Sequence, residues 1–238
     1  MLNIIRNLLE KYSRNLVIRR KFKMQQSAFP IYVSPGSQLK YYKPSFDLDL
    51  LTVIEKYVEP KDNVWDIGAN CGTFGFPAAV KSKCGEVLLI EADTWLCNVL
   101  KRTQRRSEFA NFDIKILCTA VSNNIGTELF SIANRGRASN TLGKYQGRSQ
   151  MGGIRYSEVV TVFTLDSLIE RFTAPNFIKI DVEGAEMDVL HGAIDILKKY
   201  KPKIYIEVGN STRDEVETFL GLYGYEKSLT ISNNILYI

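Results

Sequence analysis

The fold is decided by the stretch Val64-Trp65-Asp66-Ile67-Gly68-Ala69-Asn70-Cys71-Gly72-Thr73. Its first four residues predict a short buried strand, and the residues that follow predict a helix over about 73–83. Gly68 and Gly72 permit the tight turn between them, because glycine adopts backbone angles that other residues disfavour. A strand that enters a helix through a glycine turn is the usual first unit of a parallel α/β sheet. Such sheets bind ligands at the carboxyl ends of their strands.

Strands and helices alternate from this unit to the end of the chain. Apolar runs predict core strands over 86–91, 113–118, 177–181 and 203–208, a sheet-edge segment over 159–164, and closing strands over 225–230 and 233–238. Helical spacing predicts helices over 46–58, 94–106, 185–200 and 212–223. The fold class is therefore α/β, a Rossmann-like sheet with helices on both faces.

Charge is distributed unevenly along the chain. With 238 residues, 45% of them apolar, the chain can form one globular domain with a short appendage. Residues 1–46 contain nine Lys or Arg against the single acid Glu10, whereas the rest has a small acidic excess. The sequence thus predicts a basic appendage over 1–45 and a main domain over 46–238.

The appendage itself has two predicted parts. Apolar residues recur every three or four positions over 2–18, which predicts a helix, and the cationic run 19–23 follows it. This helix either rests on an anionic membrane surface through residues 1–25 or packs its apolar stripe on the main domain. Residues 27–46 contain three prolines and several aromatic residues, which predicts an irregular connector.

Several classes of protein are disfavoured. The longest apolar runs, such as 87–90, are too short to cross a membrane, and charges interrupt the N-terminus where a secretory signal would need an apolar core. Four widely spaced cysteines and one histidine favour free thiols in the cytoplasm over a zinc site. Nucleic-acid binding is disfavoured because the main domain is slightly acidic.

Glu91 ends the second core strand, 19 residues after Gly72. An acid there is placed to accept both hydroxyls of a ribose, so the pair predicts a nucleoside-containing cofactor. A dinucleotide site would need a glycine where Asn70 stands, and Asp66 would repel a pyrophosphate. The ammonium group of S-adenosylmethionine (SAM) suits such a carboxylate, so these residues favour SAM over NAD.

A second segment carries a resemblance to a known family. The run Phe177-Ile178-Lys179-Ile180-Asp181-Val182-Glu183-Gly184-Ala185-Glu186 resembles the signature of the FkbM-type methyltransferases. The first motif over 64–73 matches the same family, and 120–122, 164–168 and 203–208 resemble its other blocks. The five blocks span about residues 60–238 and do not include residues 1–45.

The resemblance implies a class I SAM-dependent methyltransferase domain with sheet order 3-2-1-4-5-7-6 and an antiparallel strand 7. Family members usually methylate hydroxyl oxygens of sugars, glycans or related natural products. One departure is Glu91-Ala92-Asp93, where the family would have proline after the acid. The cofactor-binding residues expected here are Asp66, Gly68, Asn70, Gly72, Thr73, Glu91, Ala92 and Ala120.

Three carboxylates are the candidate catalytic residues. A hydroxyl is a weak nucleophile until a base takes its proton. Asp181 ends the fourth core strand and is the first candidate, although it could instead cap the next helix. Glu183 follows it, and Glu207 ends the fifth strand. His191 lies within a predicted helix and is expected to pack or face solvent, and no metal ion is expected.

Residues 129–157 form a predicted insertion with five glycines and no acid. A loop of this length is typical of a lid over a substrate site, although a solvated mobile loop is equally compatible. As a lid, it would use Arg135, Arg137 and Arg148 to bind phosphate or carboxylate groups of a nucleotide-linked, lipid-linked or acidic glycan.

The sequence therefore predicts a cytoplasmic SAM-dependent O-methyltransferase that acts on a sugar or glycan. Two alternatives remain at this point: a Rossmann-type NAD oxidoreductase, and a non-catalytic protein that binds membrane surfaces through its basic N-terminus.

Overall fold

The computed structural model describes residues 9–24, 26–43, 47–143, 151–209 and 211–238. Its strands are β1 (Ile18–Met24), β2 (Ser27–Val33), β3 (Val64–Ile67), β4 (Val87–Glu91), β5 (Ile114–Cys118), β6 (Ala120–Val121), β7 (Gly126–Ala133), β8 (Thr141–Leu142), β9 (Ile154–Phe163), β10 (Phe177–Ile180), β11 (Lys203–Glu207), β12 (Lys227–Ile231) and β13 (Asn234–Tyr237). Its helices are α1 (Leu48–Tyr57), α2 (Gly75–Ser82), α3 (Thr94–Gln104), α4 (Leu165–Leu168), α5 (Glu186–His191), α6 (Ile194–Lys199) and α7 (Arg213–Leu222). Short 3₁₀ helices cover Leu39–Tyr42, Ser107–Phe109 and Arg137–Ser139.

A seven-stranded sheet forms the centre of the molecule, in the order β5-β4-β3-β10-β11-β13-β12. When only the strands of this sheet are numbered along the chain, the order is 3-2-1-4-5-7-6. Strands β3, β4, β5, β10 and β11 are parallel, and β13 is antiparallel to β11. The predicted strand order is confirmed. Connections leave β3 and β10 in opposite directions across the sheet, so a ligand crevice is expected at the carboxyl ends of these two strands.

Each central strand alternates between two apolar cores, one on either face of the sheet. Trp65 and Ile67 of β3 pack into the core with α4 to α7, whereas Val64 packs into the core with α1 to α3. The register pairs Lys179 with Asp66 on one side and with Tyr205 on the other. Because residues in register share a face, these three side chains lie side by side on the same face of the sheet.

The N-terminal part of the chain forms a hairpin that packs into the core of the main domain, and the boundary at residue 45 stays a prediction. Strands β1 and β2 pair as an antiparallel hairpin, with Ile18 opposite Val33 and Met24 opposite Ser27. Phe22 and Met24 alternate with lysines and are buried in the same core as α2 and α3. The expected irregular connector over 27–46 therefore begins with a strand, and residues 44–46 lie outside the described residues.

The predicted helix over 2–18 is only partly supported. Residues 9–12 are helical, β1 begins at Ile18, and residues 1–8 lie outside the described residues. The side chains of Leu9, Tyr12 and Leu16 are exposed, with 81% of Tyr12 accessible to solvent. This end of the apolar stripe therefore does not pack on the main domain, contrary to the packing interpretation.

The segment 129–157 is not a structureless lid. Strands β6, β9, β7 and β8 form a separate four-stranded sheet, in which β7 and β9 pair from Gly126–Val162 to Ala133–Ile154. Alternate residues of this sheet, including Phe130, Ile132 and Val162, enclose a small apolar core. Residues 144–150, which contain Arg148, lie outside the described residues.

The predicted helix over 185–200 is divided into α5 and α6 at Gly192. A Cβ atom on Gly192 would lie 2.2 Å from the carbonyl oxygen of Ser122, so only glycine fits this close contact between the helix and the β6 end. The amide of Asp166 also donates to the Gly192 carbonyl. These contacts redirect the chain within what the sequence suggests is one helix.

No helix among the described residues has the length and apolar character needed to cross a bilayer. The four cysteines are free, as predicted, although Cys84 is exposed and not buried.

Candidate active site

Two adjoining cavities open at the carboxyl ends of the central strands. The first spans about 630 Å³, including space open to solvent, beside β3, β4 and β6, and Glu91, Ala92 and Ala120 are part of its wall. The second spans about 1210 Å³, also including space open to solvent, beside β10, β11 and the 3₁₀ helix Leu39–Tyr42. Their walls have three residues in common, which are Gln38, Asn70 and Asp181. A ligand in one cavity therefore lies next to a ligand in the other.

Glu91 is the buried carboxylate of the first cavity. Its Oε2 accepts a hydrogen bond from the Asn70 amide at 2.7 Å, and its Oε1 accepts one from the Asp93 amide at 2.8 Å. Burial raises the pKa of Glu91 to about 7, and these backbone hydrogen bonds oppose the rise. Each oxygen keeps a second lone pair for a ligand hydroxyl. The predicted ribose contact is thus geometrically available.

The glycine turn brings the backbone close to this cavity. Gly68 has a φ of +75°, and a Cβ atom there would lie 1.9 Å from the carbonyl oxygen of Asp181. Asn70, at the position where a dinucleotide site would need glycine, has a φ of +52° and accepts a hydrogen bond from the Ser37 hydroxyl. The side chain of Asn70, which disfavours a pyrophosphate in the sequence analysis, is thus part of the cavity wall.

Three of the predicted cofactor residues do not lie in the wall of the first cavity. Asp66 is fully buried beneath the turn, where its Oδ2 accepts a hydrogen bond from the Gly75 amide and anchors the start of α2. A Cβ at Gly72 would meet the rings and methyls of the apolar core. Thr73 lines the second cavity instead. Of the eight predicted residues, the first cavity contains Gly68, Asn70, Glu91, Ala92 and Ala120.

Lys179 is a buried cation that the sequence interpretation missed. Its Nζ lies 3.2 Å from Asp181 Oδ2 and 3.4 Å from Asp66 Oδ1, and it donates to the Gly68 carbonyl at 3.2 Å. Burial alone would lower the pKa of Lys179, but Asp181 and Asp66 outweigh burial and the pKa is raised. The ammonium therefore stays charged, and it joins the glycine turn to the end of β10.

Two of the predicted catalytic carboxylates meet in the second cavity. Asp181 and Glu207 both form part of its wall, together with Lys179 and Tyr205. The negative charge of Asp181 and then burial raise the pKa of Glu207 to about 7. Glu183 lines the first cavity instead and has a φ of +55°. Asp181 does not cap α5, which begins at Glu186.

Of the three arginines predicted to bind the substrate, Arg137 belongs to the wall of the first cavity and Arg148 lies outside the described residues. Arg137 is 5% exposed and its Nη1 pairs with Asp93 Oδ2, while its guanidinium lies 4.6 Å from the ring centre of Trp95. Asn140 also donates to Asp93 Oδ2. Arg135 is exposed and belongs to neither cavity wall. The buried pair instead fastens the four-stranded sheet to the start of α3.

His191 is exposed on α5 and packs edge-on against Phe219, which agrees with the prediction that it packs or faces solvent. Within the described part of the chain, no group of three His, Cys, Asp or Glu residues is arranged to hold a metal ion.

The model of the methyltransferase FkbM domain family matches residues 66–227, more than half of the chain. The chain belongs to the FkbM methyltransferase domain family. No curated protein matches the chain. Among solved structures, it is similar to a methyltransferase FkbM from Methylobacillus flagellatus KT, with 23% identity and a TM-score of 0.55 over 74% of this chain. The chain spans 43% of the length of that protein.

A second similar structure is the precorrin-6y C5,15-methyltransferase of Geobacter metallireducens GS-15. It shares 10% identity with this FkbM domain at a TM-score of 0.49, and the match covers 79% of this chain and 82% of that one.

The cofactor of this FkbM domain is SAM, and the first cavity fits it. Glu91 can accept the ribose hydroxyls, the Gly68 turn allows close backbone approach, and Ala92 and Ala120 offer small apolar surface for adenine. When bound, SAM supplies a methyl group carried on a sulfonium. The family also decides against the NAD oxidoreductase alternative.

Lys179 and Tyr205 lie in the wall of the second cavity and were not predicted as site residues. A usable signal existed for Lys179, since a lysine within the apolar run 177–180 must find an acidic partner if the strand is central. Tyr205 gave no such signal, because its place beside Lys179 depends on the register between two strands.

Proposed function

We propose that this FkbM domain transfers a methyl group from SAM to a hydroxyl of a sugar, a glycan or a related natural product. One observation carries the proposal: the cofactor cavity adjoins a larger cavity, and Asn70 and Asp181 belong to both walls. An acceptor in the second cavity would thus lie beside the cofactor. Such positioning is the main contribution that an enzyme makes to a displacement reaction.

The second cavity favours an acceptor rich in hydroxyls. Among the described residues, its wall contains the carboxylates of Asp47, Asp49, Asp181 and Glu207 and two cations, Lys40 and Lys179. Lys40 pairs with Asp47, and Lys179 pairs with Asp181. Carboxylates accept hydrogen bonds from hydroxyls and repel phosphate or carboxylate groups. This wall therefore favours a neutral acceptor over the nucleotide-linked or acidic glycan that the insertion arginines suggest.

The catalytic roles are assigned to groups at the junction of the cavities. Asp181 belongs to both walls and is placed to accept a hydrogen bond from the acceptor hydroxyl. Glu207 is a second carboxylate of the acceptor cavity. Glu183, which lines only the cofactor cavity, is assigned to cofactor contact and not to proton transfer.

Thermal shifts with S-adenosylhomocysteine (SAH) and with NADH test the cofactor. A ligand at 100 times its Kd stabilises the fold by about 2.7 kcal/mol. We expect a thermal shift with SAH and none with NADH. The shift should be lost in Glu91→Ala and retained in Glu86→Gln, because Glu86 lies just before the first residue of β4 and Glu91 is its last residue. A shift with NADH but not with SAH would contradict the proposal.

Transfer of labelled methyl from SAM tests the acceptor class. Neutral sugars and their phosphorylated counterparts are offered in matched pairs, so that charge is the only difference. We expect label in the neutral member of at least one pair. Labelling restricted to the phosphorylated members would overturn the proposed acceptor chemistry.

A second observation favours contact with an anionic membrane surface. Arg19, Lys21 and Lys23 alternate along β1 with their side chains exposed, and Tyr12 and Leu16 are exposed nearby in the sequence. Basic and apolar groups together are typical of segments that bind anionic lipid. We therefore infer that residues 1–25 can bring this domain, which we expect to be cytoplasmic, to a membrane surface. This contact would set where the enzyme acts and would not replace its catalytic activity.

Sedimentation with vesicles tests this contact. We expect binding to vesicles that contain phosphatidylglycerol and little binding to pure phosphatidylcholine. Replacement of the three β1 cations by glutamine should abolish binding, whereas the same change at Lys81, Lys198 and Lys199, on α2 and α6, should not. Equal loss in both triple variants would indicate a general charge effect and contradict the proposal.

A further inference from the structure

The two carboxylates of the acceptor cavity differ in their partners. Asp181 Oδ2 lies 3.2 Å from the Lys179 ammonium, which is held in place by Asp66 and by the Gly68 carbonyl. Lys179 is 6% exposed, so water cannot substitute for these partners. Asp181 is therefore tied to a fixed positive charge.

Among the described residues, Glu207 forms no ion pair of this kind. Strands β10 and β11 are in register up to Ile180 and Ile206, and Asp181 and Glu207 are the next residues on each strand. The side chain of Glu207 is half-buried, and within the described part of the chain it accepts no hydrogen bond and forms no ion pair. It is thus a carboxylate with no paired cation beside one whose Oδ2 is paired with an ammonium.

We propose that Lys179 is a positioning residue: its pairing with Asp181 reserves that carboxylate for orienting the acceptor hydroxyl and leaves Glu207 to take the proton. This assignment rests on the proposed function, and it reverses the order in which the sequence ranked the two acids. Asp181 holds the hydroxyl through a hydrogen bond, and Glu207 is the base.

Methyl transfer to the acceptor breaks two bonds and forms two. The acceptor O–H bond breaks, and its proton forms a new bond to a Glu207 carboxylate oxygen. The acceptor oxygen uses its electron pair to bond the methyl carbon, while the electron pair of the broken carbon–sulfur bond stays on sulfur. Glu207 later returns the proton to solvent at the open side of the cavity. Lys179 keeps its protons throughout, because two carboxylates hold it charged.

The electrostatic surroundings of Glu207 agree with this role. Four charged groups act on it: Asp181 directly after β10, Lys179 on β10, Glu186 on α5 and Lys40 on the 3₁₀ helix. Together with burial, the acidic members outweigh the lysines and raise the pKa of Glu207 to about 7. A base of this strength can both accept a proton and release it near neutral pH.

Carboxyl-carbon NMR titration of the whole chain tests the assignment without any acceptor. The sample carries ¹³C at the Glu side-chain carboxyls. The Glu207 signal is identified by its absence in Glu207→Gln, and Glu91→Gln removes the second glutamate that titrates near neutral pH. In the wild type we expect the Glu207 signal to titrate near pH 7.

Lys179→Met removes the charge at nearly constant length. We expect the Glu207 titration to move to higher pH in this variant, because the Lys179 charge lowers the pKa of Glu207, and Lys179→Arg should restore the wild-type curve. A wild-type protein in which Glu207 does not titrate near neutral pH would overturn the proposal. Unchanged curves in Lys179→Met would overturn it as well. Should Lys179→Met fail to fold, judged by its SAH thermal shift, the wild-type titration still decides.

Failure here is distinguishable from failure of the proposed function. The titration measures the protonation of a carboxyl group, whereas the labelling experiment measures the amount of methylated product. With an accepted substrate, Glu207→Gln should lower kcat by about 10²- to 10⁴-fold at nearly constant KM. Asp181→Asn should mainly raise the acceptor KM, and the opposite pattern would overturn the assignment.

Discussion

Gly68 lies where β3 leaves the sheet, and no side chain fits there. A Cβ would lie 1.9 Å from the Asp181 carbonyl oxygen, in a backbone conformation with a φ of +75°. We expect Gly68→Ala to lower the free energy of unfolding by about 3 kcal/mol or more. The matched control is Gly221→Ala in α7, where nothing lies within 4 Å of the Cβ position. That variant should be about 0.5–1 kcal/mol more stable than wild type. Urea unfolding measures both, and similar values for the two would contradict the argument.

Glu91 makes cofactor binding dependent on pH. Its pKa is raised to about 7, and only the ionised carboxylate can accept hydrogen bonds from both ribose hydroxyls. Protonation below this pKa removes an acceptor, so SAH affinity should fall by about tenfold for each pH unit below 7 and level off above it. Calorimetry from about pH 6 to pH 8 measures this slope.

Two variants separate Glu91 from the other acid with a raised pKa. Glu91→Gln should bind SAH weakly at every pH and without the slope. Glu207→Gln should keep the slope, because Glu207 belongs only to the acceptor cavity. If the slope disappeared in Glu207→Gln, the pH dependence of SAH affinity would come from the acceptor cavity, which would contradict this prediction.

For individual residues, the sequence predicted where some side chains lie and not where others lie. Glu91 and Asn70 were predictable because their place after a strand and within a glycine turn fixes where they point. Asp66 was assigned to the cofactor, although its side chain lies on the sheet face where the register puts Lys179 beside it. Local sequence gives a residue's spacing along its own strand, but the register with a strand more than a hundred residues away comes from the folded sheet.

Among the elements, the four-stranded sheet depends on one buried ion pair. Asp93 caps α3 and also receives hydrogen bonds from Arg137 and Asn140. The side chains of Asp93 and Arg137 are 1% and 4% exposed. Arg137→Met should cost about 3–5 kcal/mol, because it leaves a buried carboxylate without its cation. Lys227→Met, which breaks the exposed pair with Glu217, should cost less than about 1 kcal/mol.

Urea unfolding measures this difference, and hydrogen exchange of β7 and β9 shows where stability is lost. We expect faster exchange in these strands in Arg137→Met, with the central sheet less affected. Equal costs for the two variants would mean that the pair is not what fastens the small sheet.

The strands of this sheet were mistaken for a loop for a physical reason. Five glycines and many polar residues over 129–157 are typical of loops. Strand formation here depends on pairing β7 with β9, whose partners are some 20 to 40 residues apart, and strand preference is governed by such neighbours more than by local sequence. Strands β3, β4 and β10 of the central sheet were predictable because they are nearly all apolar and buried on both faces.

For the molecule as a whole, composition suggested an appendage where the structure has part of the core. Arg19, Lys21 and Lys23 of β1 face solvent, whereas Phe22 and Met24 of the same strand are 5% and 2% exposed. Through this core the hairpin is continuous with α2, which begins at the cofactor turn. Charge along a chain reports which side chains face water, and not where a domain begins.

Removal of residues 1–25 should therefore destabilise the entire domain and not merely detach a surface element. We expect the truncated chain to lose its cooperative thermal transition and its SAH-induced shift, because β2 is left without its partner and the core without two buried side chains. Met24→Ala alone should cost about 2–5 kcal/mol, whereas Lys21→Ala, three residues earlier and exposed, should change stability by less than about 0.5 kcal/mol. Circular dichroism melting curves with and without SAH measure all three. A truncated chain that keeps the wild-type Tm and still binds SAH would show that the hairpin is an appendage after all, and would support the predicted domain boundary at residue 45.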